Sequence, residues 1–308
     1  MAVFTDKTCA LHDPGAGHPE QIARLSAVVT ALQKPEFKNI DWHRSTPEAT
    51  TAQLEYAHDP DYVHTILRAA PKTGYRMLDS DTILSPHSIE AALHAAGAVV
   101  AAVDHVLTGK VEKAFCAVRP PGHHAEKDKA MGFCIFSNAA IGAWHAVKAH
   151  GLKRVAIVDF DVHHGNGTEN IVDGHAEFLY ASTHQYPFYP GTGAAVDTGR
   201  LGNIVNVPLQ IGDGSAAFRR AFTRVILPAL DKFKPELMII SAGFDAHQND
   251  PLAQINLIET DYAWVTTELR HIADEYSHSH IVSVLEGGYN LEGLASSAAA
   301  HVAALMKP

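Results

Sequence analysis

The chain has 308 residues, of which 46% are hydrophobic and 19% are charged, so it can bury the core of one large domain or two small ones. The 24 Lys and Arg residues against 34 Asp and Glu give a formal net charge of −10. This balance is too acidic for a nucleic-acid-binding protein, and we expect no nucleic-acid partner.

The distribution of apolar residues and cysteines argues against a membrane-bound or secreted protein. The most apolar stretch, 91–107, is interrupted by His94 and Asp104, and the N-terminus lacks the basic-then-apolar pattern of a secretory signal. The three cysteines are odd in number and widely spaced, unlike a disulfide framework or a closed cysteine zinc site. We expect a cytoplasmic protein that makes no membrane contact.

Short apolar runs rich in β-branched residues alternate with helical stretches along the chain. In chain order, the clearest elements are a helix at 88–107, a strand at 114–118, a helix at 138–149, strands at 154–160, 177–182 and 203–207, a helix at 216–233, a strand at 236–241, a helix at 261–276, a strand at 280–285 and a helix at 291–305. Strands that alternate with helices predict an α/β fold, which we expect to be a single domain over 1–308 with a doubly wound, mostly parallel sheet flanked by helices.

Four of the predicted strands are followed by segments that combine glycine with histidine, aspartate or tyrosine. These segments are 119–124 (RPPGHH), 159–167 (DFDVHHGNG), 241–247 (SAGFDAH) and 286–290 (EGGYN). In a sheet of this type, ligands bind outside the C-terminal ends of the strands. Four such strand ends therefore predict an active site at that edge.

The second of these segments has the spacing of a metal site. Asp161 and His163 are two residues apart on an extended segment, so both side chains leave the same face. Asp245, after another strand, is a candidate third ligand, and such a set suits zinc or a neighbouring first-row ion with one position open for water. Asp159 is two residues before Asp161, so its side chain is expected on the same face. The spacing alone therefore does not decide which of the two aspartates is the ligand. The alternative is a polar strand end without a metal.

Two further features have the residue types of acid–base and oxyanion chemistry. His123 and His124 lie on irregular backbone, where one imidazole can act as a base and the other as electrostatic support. Tyr289 follows two glycines and can point its hydroxyl into a cleft as an oxyanion donor. Taken alone, a histidine pair is more often structural or exposed, and the tyrosine would be an ordinary half-buried residue if the other motifs were absent.

Together these motifs resemble those of the histone deacetylase family, zinc-dependent amidohydrolases of the arginase/deacetylase fold that act on acyl-lysine and acyl-polyamines. The resemblance spans nearly the whole chain. It rests on HDP at 12–14, HPE at 18–20 with Arg24, RPPGHHA at 119–125, MGFCIFSN at 131–138, the segment 159–168, PGTG at 190–193, GFD at 243–245 and EGGYN at 286–290.

The resemblance implies one catalytic Zn²⁺, or Fe²⁺ in its place, with three ligands: Asp161, His163 and Asp245. It also implies that Asp159 is not a ligand of this ion. Asp159 would instead orient His123 and, together with the Ser182 side chain, help to hold a monovalent cation, which we expect to be K⁺.

The same resemblance implies the catalytic roles. His124 is expected to be the general base that takes a proton from the zinc-activated water and later protonates the leaving amine, and His123 is expected to stabilise charge beside it. Tyr289 would donate to the carbonyl oxygen of the substrate. Asn166 is expected to be the partner of His124, as in class II members, although PGTG at 190–193 is similar to class I.

For the substrate, the resemblance implies that the Gly132 backbone accepts an N–H and that Phe133 and Tyr189 form the walls of an acyl-lysine tunnel. Leu252 stands where polyamine-selective members place a glutamate. An apolar residue at this gate favours a neutral acyl-lysine over a cationic acetylpolyamine.

We therefore expect a bacterial, class II-like deacetylase that hydrolyses an acyl amide, most simply N6-acetyl-lysine in a protein or peptide. The nearest alternative is deacetylation of an acetylpolyamine or another small acyl amide. Two more remote alternatives are a ureohydrolase of the arginase type with two manganese ions, and a non-catalytic protein that binds acyl-lysine.

Overall fold

The computed structural model describes residues 1–307. Its strands are β1 (Ala2–Phe4), β2 (Asp41–His43), β3 (Arg76–Met77), β4 (Ile83–Leu84), β5 (Lys113–Cys116), β6 (Val155–Asp159), β7 (Phe178–Gln185), β8 (Ile204–Leu209), β9 (Leu237–Ala242) and β10 (Ile281–Leu285). Its α-helices are α1 (Ala23–Ala31), α2 (Thr51–Leu54), α3 (Pro60–Leu67), α4 (Ser88–Leu107), α5 (Asn138–His150), α6 (Asn166–Val172), α7 (Ser215–Ala221), α8 (Leu227–Phe233), α9 (Glu259–Tyr276) and α10 (Leu291–Leu305).

Eight of the strands form one sheet in the order β2-β1-β5-β10-β9-β6-β7-β8, and every pairing within it is parallel. β3 and β4 form a separate antiparallel pair. The chain crosses from β5 to β6 and later returns to insert β9 and β10 between them. The expected doubly wound, mostly parallel α/β fold is thus confirmed.

The central strands are buried along their whole length because helices cover the sheet. Every residue of β5, β6, β9 and β10 is buried. α4 and α5 pack on each other and against these strands, while α10 packs on α1 and α9. His301 of α10 also reaches Ser283 of β10, with 2.9 Å between Nε2 and Oγ. Each buried aliphatic side chain contributes about 1.5–3 kcal/mol to stability, so the apolar strand runs fix the sheet at the centre.

The elements predicted from the sequence are confirmed, with small shifts at their ends. Helices 88–107 and 291–305 have the expected bounds, and the ends of the predicted strands differ from the observed ones by at most three residues. The helix predicted at 216–233 is divided by a π-helical turn, Phe222–Ile226, between α7 and α8. β1 to β4, α6 and the helices before α4 were not predicted. A strand of two or three residues, such as β1, is recognisable only once its neighbours in the sheet are known.

One described helix is long and apolar enough to cross a membrane by length and composition, and it is α4. About two thirds of its most apolar window is buried inside the protein. Since α4 packs against α5 and the sheet, its apolar character serves the core of the fold.

Candidate active site

The side chains predicted to bind the metal meet at the C-terminal edge of the sheet. Asp161 and His163 follow β6, and Asp245 follows β9, the strand that pairs with β6. One ligand atom from each lies within 4.8 Å of the others, and all three residues are buried. His163 Nδ1 is 3.1 Å from Asp161 Oδ1 and 3.2 Å from Asp245 Oδ2. The expected convergence of two carboxylates and one imidazole is therefore present.

The electrostatics of this cluster suit a cation. Burial alone would lower the pKa of His163, but the carboxylates of Asp161 and Asp245 raise it to about 10. Burial, reinforced by the charge of Asp161, raises the pKa of Asp245 to about 7. Asp245 Oδ2 is buried, and although His163 Nδ1 lies 3.2 Å away, no described residue makes a hydrogen bond of good geometry to it. A buried carboxylate oxygen in this state is costly unless a cation neutralises it, so the three residues fit a divalent metal ion.

Backbone N–H groups fix the orientation of both carboxylates. Asp161 accepts hydrogen bonds from His163 N at 2.9 Å and from Gly287 N at 2.8 Å. Asp245 Oδ1 accepts one from Val162 N at 2.8 Å. These contacts hold the ligand oxygens in place independently of any metal, as contacts outside the ligand set do in known metal sites.

Gly287 is required by this packing. A Cβ atom at position 287 would lie 2.6 Å from Asp161 Oδ2 and in still closer contact with Asp245 Oδ2. The glycine in the EGGYN segment therefore allows β10 to end directly against the metal-binding carboxylates.

His123 lies behind this cluster and is held by Asp159. Its Nδ1 is 3.1 Å from Asp159 Oδ2, which also accepts a hydrogen bond from Tyr180 OH at 3.1 Å. Burial would lower the pKa of His123, but the charges of Asp161 and Asp159 raise it to about 10. Ser182 pairs with Asp159 in the sheet register, and its hydroxyl contacts the ring of His184. His123 is thus a buried cation beside the site.

His124 has the geometry of a base. Its Nδ1 is 2.8 Å from Asn166 Oδ1, and the Nδ2 of Asn166 donates to Glu126 Oε1 at 2.6 Å. Because that amide must donate to Glu126, its oxygen faces His124 and accepts the Nδ1 hydrogen. Burial, together with the charges of His123 and His163, holds the pKa of His124 well below its usual value. His124 is therefore neutral, with an unprotonated Nε2.

Glu286 joins the histidine segment to the end of β10. Its Oε2 accepts hydrogen bonds from Gly122 N at 2.7 Å and His123 N at 3.1 Å, and its Oε1 accepts one from Ser241 Oγ at 3.1 Å. Burial is the main reason that the pKa of Glu286 is raised, to about 7. No role for this carboxylate was predicted, although the EGGYN segment contains it.

Tyr289 is held by contacts on both its backbone and its ring. Asp250 Oδ2 accepts a hydrogen bond from Tyr289 N at 2.7 Å, and the guanidinium carbon of Arg24 lies 4.9 Å from the ring centroid. Arg24 also donates to Gly288 O at 2.7 Å and is paired with buried Glu20. Burial raises the pKa of Tyr289 well above its usual value, so the phenol keeps its hydrogen and can donate it.

These groups face a cavity of about 230 Å³. Its lining consists of Asp81, His124, Gly132, Phe133, His163, Phe188, Tyr189, Leu252 and Tyr289. All four residues predicted to contact the substrate belong to this lining. His163 brings the candidate metal-binding cluster to the cavity wall, and the catalytic candidates His124 and Tyr289 line the same cavity.

Sequence reasoning missed two residues of the lining. Asp81 precedes β4 and accepts a hydrogen bond from Gly132 N at 3.0 Å, a contact across 51 residues that no local pattern reveals. The ring of Phe188 stacks on that of His163 with 5.5 Å between centroids. Its position next to Tyr189 in an aromatic segment was the available signal.

The fold and this edge of the sheet indicate the class of protein: a hydrolase with a buried group that could bind a metal beside one cavity. Comparison with known proteins then gives the family. Residues 18–305 match the model described as "Histone deacetylase domain". The chain therefore belongs to the histone deacetylase family, whose members are metal-dependent hydrolytic enzymes.

The chain is similar over most of its length to several known proteins, two of which are named as deacetylases or amidohydrolases. "Uncharacterized protein slr0245" of Synechocystis sp. is 42% identical over 96% of this chain and 96% of that protein. "Histone deacetylase-like amidohydrolase" of Pseudomonas aeruginosa is 40% identical over 94% of this chain and 81% of that protein. The human "Polyamine deacetylase HDAC10" is 38% identical over 93% of this chain and 44% of that protein.

A solved structure agrees with both the sequence and the fold. The HDA15 HD domain superposes with a TM-score of 0.90 and 36% identity, covering 98% of this chain and 87% of that one. The enzyme class expected from the sequence is confirmed by the family match, which leaves no support for the ureohydrolase and non-catalytic alternatives.

Proposed function

We propose that this protein hydrolyses N6-acyl-lysine, with acetyl-lysine in a peptide or protein as the simplest substrate. The observation that carries the proposal is the cavity itself, which has Phe133, Tyr189 and Leu252 in its lining and the base and phenol at the same wall. Aromatic and aliphatic walls suit the neutral, extended stem of an acyl-lysine and disfavour a charged ammonium.

We assign the metal as one Zn²⁺, with Fe²⁺ as the alternative, held by Asp161, His163 and Asp245. When bound, such an ion polarises the amide carbonyl and lowers the pKa of water. The buried Oδ2 of Asp245, which accepts no hydrogen bond of good geometry from a described residue, supports this set of ligands. Asp159 and Ser182, which are adjacent in the sheet register, are proposed to help bind K⁺.

In the proposed reaction, His124 Nε2 takes the proton of the attacking water and later gives it to the leaving lysine amine. Asn166 keeps the Nδ1 hydrogen in place, so Nε2 is the atom that exchanges the proton. The positive charge on His123 lies beside the developing negative charge and stabilises it.

Tyr289 and Gly132 complete the contacts to substrate. The hydroxyl of Tyr289 donates to the carbonyl oxygen, and this hydrogen bond strengthens as the tetrahedral oxyanion forms. The Gly132 carbonyl accepts the substrate N–H, and Phe133 and Tyr189 exclude water from the stem. Asp159 orients His123 through its contact with Nδ1.

A small acyl amide such as an acetylpolyamine is the second candidate, because the human relative is named a polyamine deacetylase. Leu252 in the cavity lining opposes it, since this side chain cannot pair with a cation.

We also propose that 1–308 is one catalytic domain and that the protein is cytoplasmic. All three cysteines are free, which agrees with a reducing compartment.

The experiment that tests the proposal is a panel of substrates assayed on protein of measured metal content. The panel holds acetyl-, longer-acyl- and trifluoroacetyl-lysine peptides and N-acetylpolyamines. The proposal requires the highest kcat/KM on an acyl-lysine peptide. If acetylputrescine is hydrolysed better than every peptide, the substrate assignment is wrong.

A further inference from the structure

A second group of metal-ligating side chains lies at the ends of helices α4 and α5, away from the active site. Asp104 is in the last turn of α4, and His145 and His150 are in the C-terminal half of α5. One ligand atom from each lies within 4.8 Å of the others. The active site uses none of these residues.

The geometry of this Asp104 cluster brings two imidazoles to one oxygen. Asp104 Oδ1 is 2.8 Å from His145 Nε2 and 2.7 Å from His150 Nε2. In tetrahedral zinc, with ligands at 2.0–2.1 Å, ligand atoms lie about 3.3 Å apart. Each of the two imidazole nitrogens would therefore have to move away from Asp104 Oδ1 by about half an ångström to hold such an ion.

The chemistry of the ligand atoms is also suitable. Burial would raise the pKa of the Asp104 carboxyl, but hydrogen bonds from His145 and His150 lower it, so the carboxylate is ionised at neutral pH. Two imidazole nitrogens and one carboxylate favour late first-row divalent ions such as Zn²⁺. The His145 side chain is 8% exposed and that of Asp104 is 47% exposed, so an ion can enter from solvent and keep water as further ligands.

The cluster is separate from the active site. Helix α5 begins at Asn138, whose side chain donates to Pro120 O beside the catalytic histidines, and it ends at His150. A helix of 13 residues is about 20 Å long, so His150 lies at the end of α5 opposite to the one that contacts Pro120. An ion held there would link α4 to α5 without contacting the substrate.

We propose that Asp104, His145 and His150 form a second divalent-metal site that binds Zn²⁺ and joins the C-terminal ends of α4 and α5. Coordination through Nε2 places the hydrogen of His145 on Nδ1, which is buried and has no hydrogen-bond partner among the described residues. This unpaired group lowers the affinity, so the catalytic site fills first as zinc is added.

The test is a zinc titration of the full chain at buffered free zinc, with bound metal measured by mass spectrometry. We expect the native protein to bind one zinc ion more per chain than His150→Ala and than Asp104→Asn. His64→Ala, which removes an exposed histidine on α3, is the matched control and should bind as much zinc as the native protein. Equal zinc content in the native protein and His150→Ala would overturn the proposal.

A second readout separates this site from the catalytic one. Zinc added beyond the catalytic equivalent should raise the Tm of the native protein by several degrees, because it binds only the folded state. The rise should persist in Asp245→Asn and disappear in His150→Ala, which keeps its amidohydrolase activity. A rise in Tm of equal size in His150→Ala would show that zinc stabilises the protein at another position, and the proposed site would be wrong.

Discussion

Asn166 Oδ1 lies 2.8 Å from Nδ1 of His124, and this contact fixes which nitrogen of the imidazole carries the hydrogen. The amide has only one possible orientation, because its Nδ2 donates to Glu126 Oε1 at 2.6 Å. His124 Nε2 therefore carries no hydrogen, and its lone pair can accept a proton at the cavity. An amide partner does this without adding charge, so it orients the base while leaving its pKa low.

Replacing this amide by a carboxylate should shift the pH profile. In Asn166→Asp combined with Glu126→Gln, which removes the repulsion with Glu126, the new charge raises the pKa of His124. A base with a higher pKa stays protonated to a higher pH, so the acidic limb of kcat/KM should move up by about one unit. Steady-state rates across pH measure this. Asn170→Asp on the same helix is the control, and an unmoved limb in the double variant would contradict the assigned base.

Removal of the Tyr289 hydroxyl should lower turnover without loss of binding. A single oxyanion donor is typically worth about 10²–10³ in kcat, so Tyr289→Phe should lose that factor. Zinc content and the affinity for a substrate peptide should stay near those of the native protein, since the ring contact with Arg24 is kept. Stopped assays and metal analysis on the same sample measure both. A variant with native kcat would exclude the phenol as the donor.

The convergence of the candidate ligands was predictable from sequence because these residues follow buried strands. Asp161, His163 and Asp245 follow β6 and β9, whose apolar runs identify them as parallel strands, and parallel strands end at one edge. The choice of Asp161 over Asp159 came from the family resemblance, because the two have the same parity. Side chains placed by long-range contacts were not predictable. Asp81 reaches the cavity through a bond to Gly132, and local sequence contains no signal for it.

Gly287→Ala should weaken metal binding. The added methyl group would lie against the carboxylates of Asp161 and Asp245, which would have to move away from their ligand positions. We expect zinc affinity to fall by about 10–100-fold, as it does when contacts supporting a metal ligand are disturbed. Competition with a chelator measures the affinity. Gly109→Ala is the control: at φ +74° it strains the backbone, but nothing lies within 4 Å of the added methyl group, so this variant should bind zinc normally.

A charge at position 252 should change substrate preference. Leu252→Glu places a carboxylate in the cavity lining, where it can pair with the ammonium of an acetylpolyamine. We expect kcat/KM for N-acetylpolyamines relative to acetyl-lysine peptides to rise by about tenfold, which corresponds to about 1.4 kcal/mol. The two substrates should be assayed in competition. Leu201→Glu changes an exposed leucine outside this lining and should leave the ratio unchanged.

The stability of the protein should decrease at acidic pH because His58 is buried as a neutral ring. Its Nδ1 donates to Glu126 O at 2.8 Å, and its Nε2 accepts from Ser137 N at 2.9 Å, so both nitrogens are satisfied only in the neutral ring. Burial is the main reason that its pKa falls from 6.5 to about 4. The unfolded chain therefore binds one more proton than the folded protein between these values, and stability falls as pH falls through this window.

The variant His58→Gln removes the side chain that takes up this proton. The native protein should lose about 1.4 kcal/mol of unfolding free energy per pH unit more than the variant between about pH 6 and 4.5. Urea denaturation of both proteins at several pH values measures the two slopes. His64→Gln, at an exposed histidine, should keep the native slope. Loss of metal in acid affects all three proteins alike, so equal slopes for the native protein and His58→Gln would show that His58 is not the group that titrates.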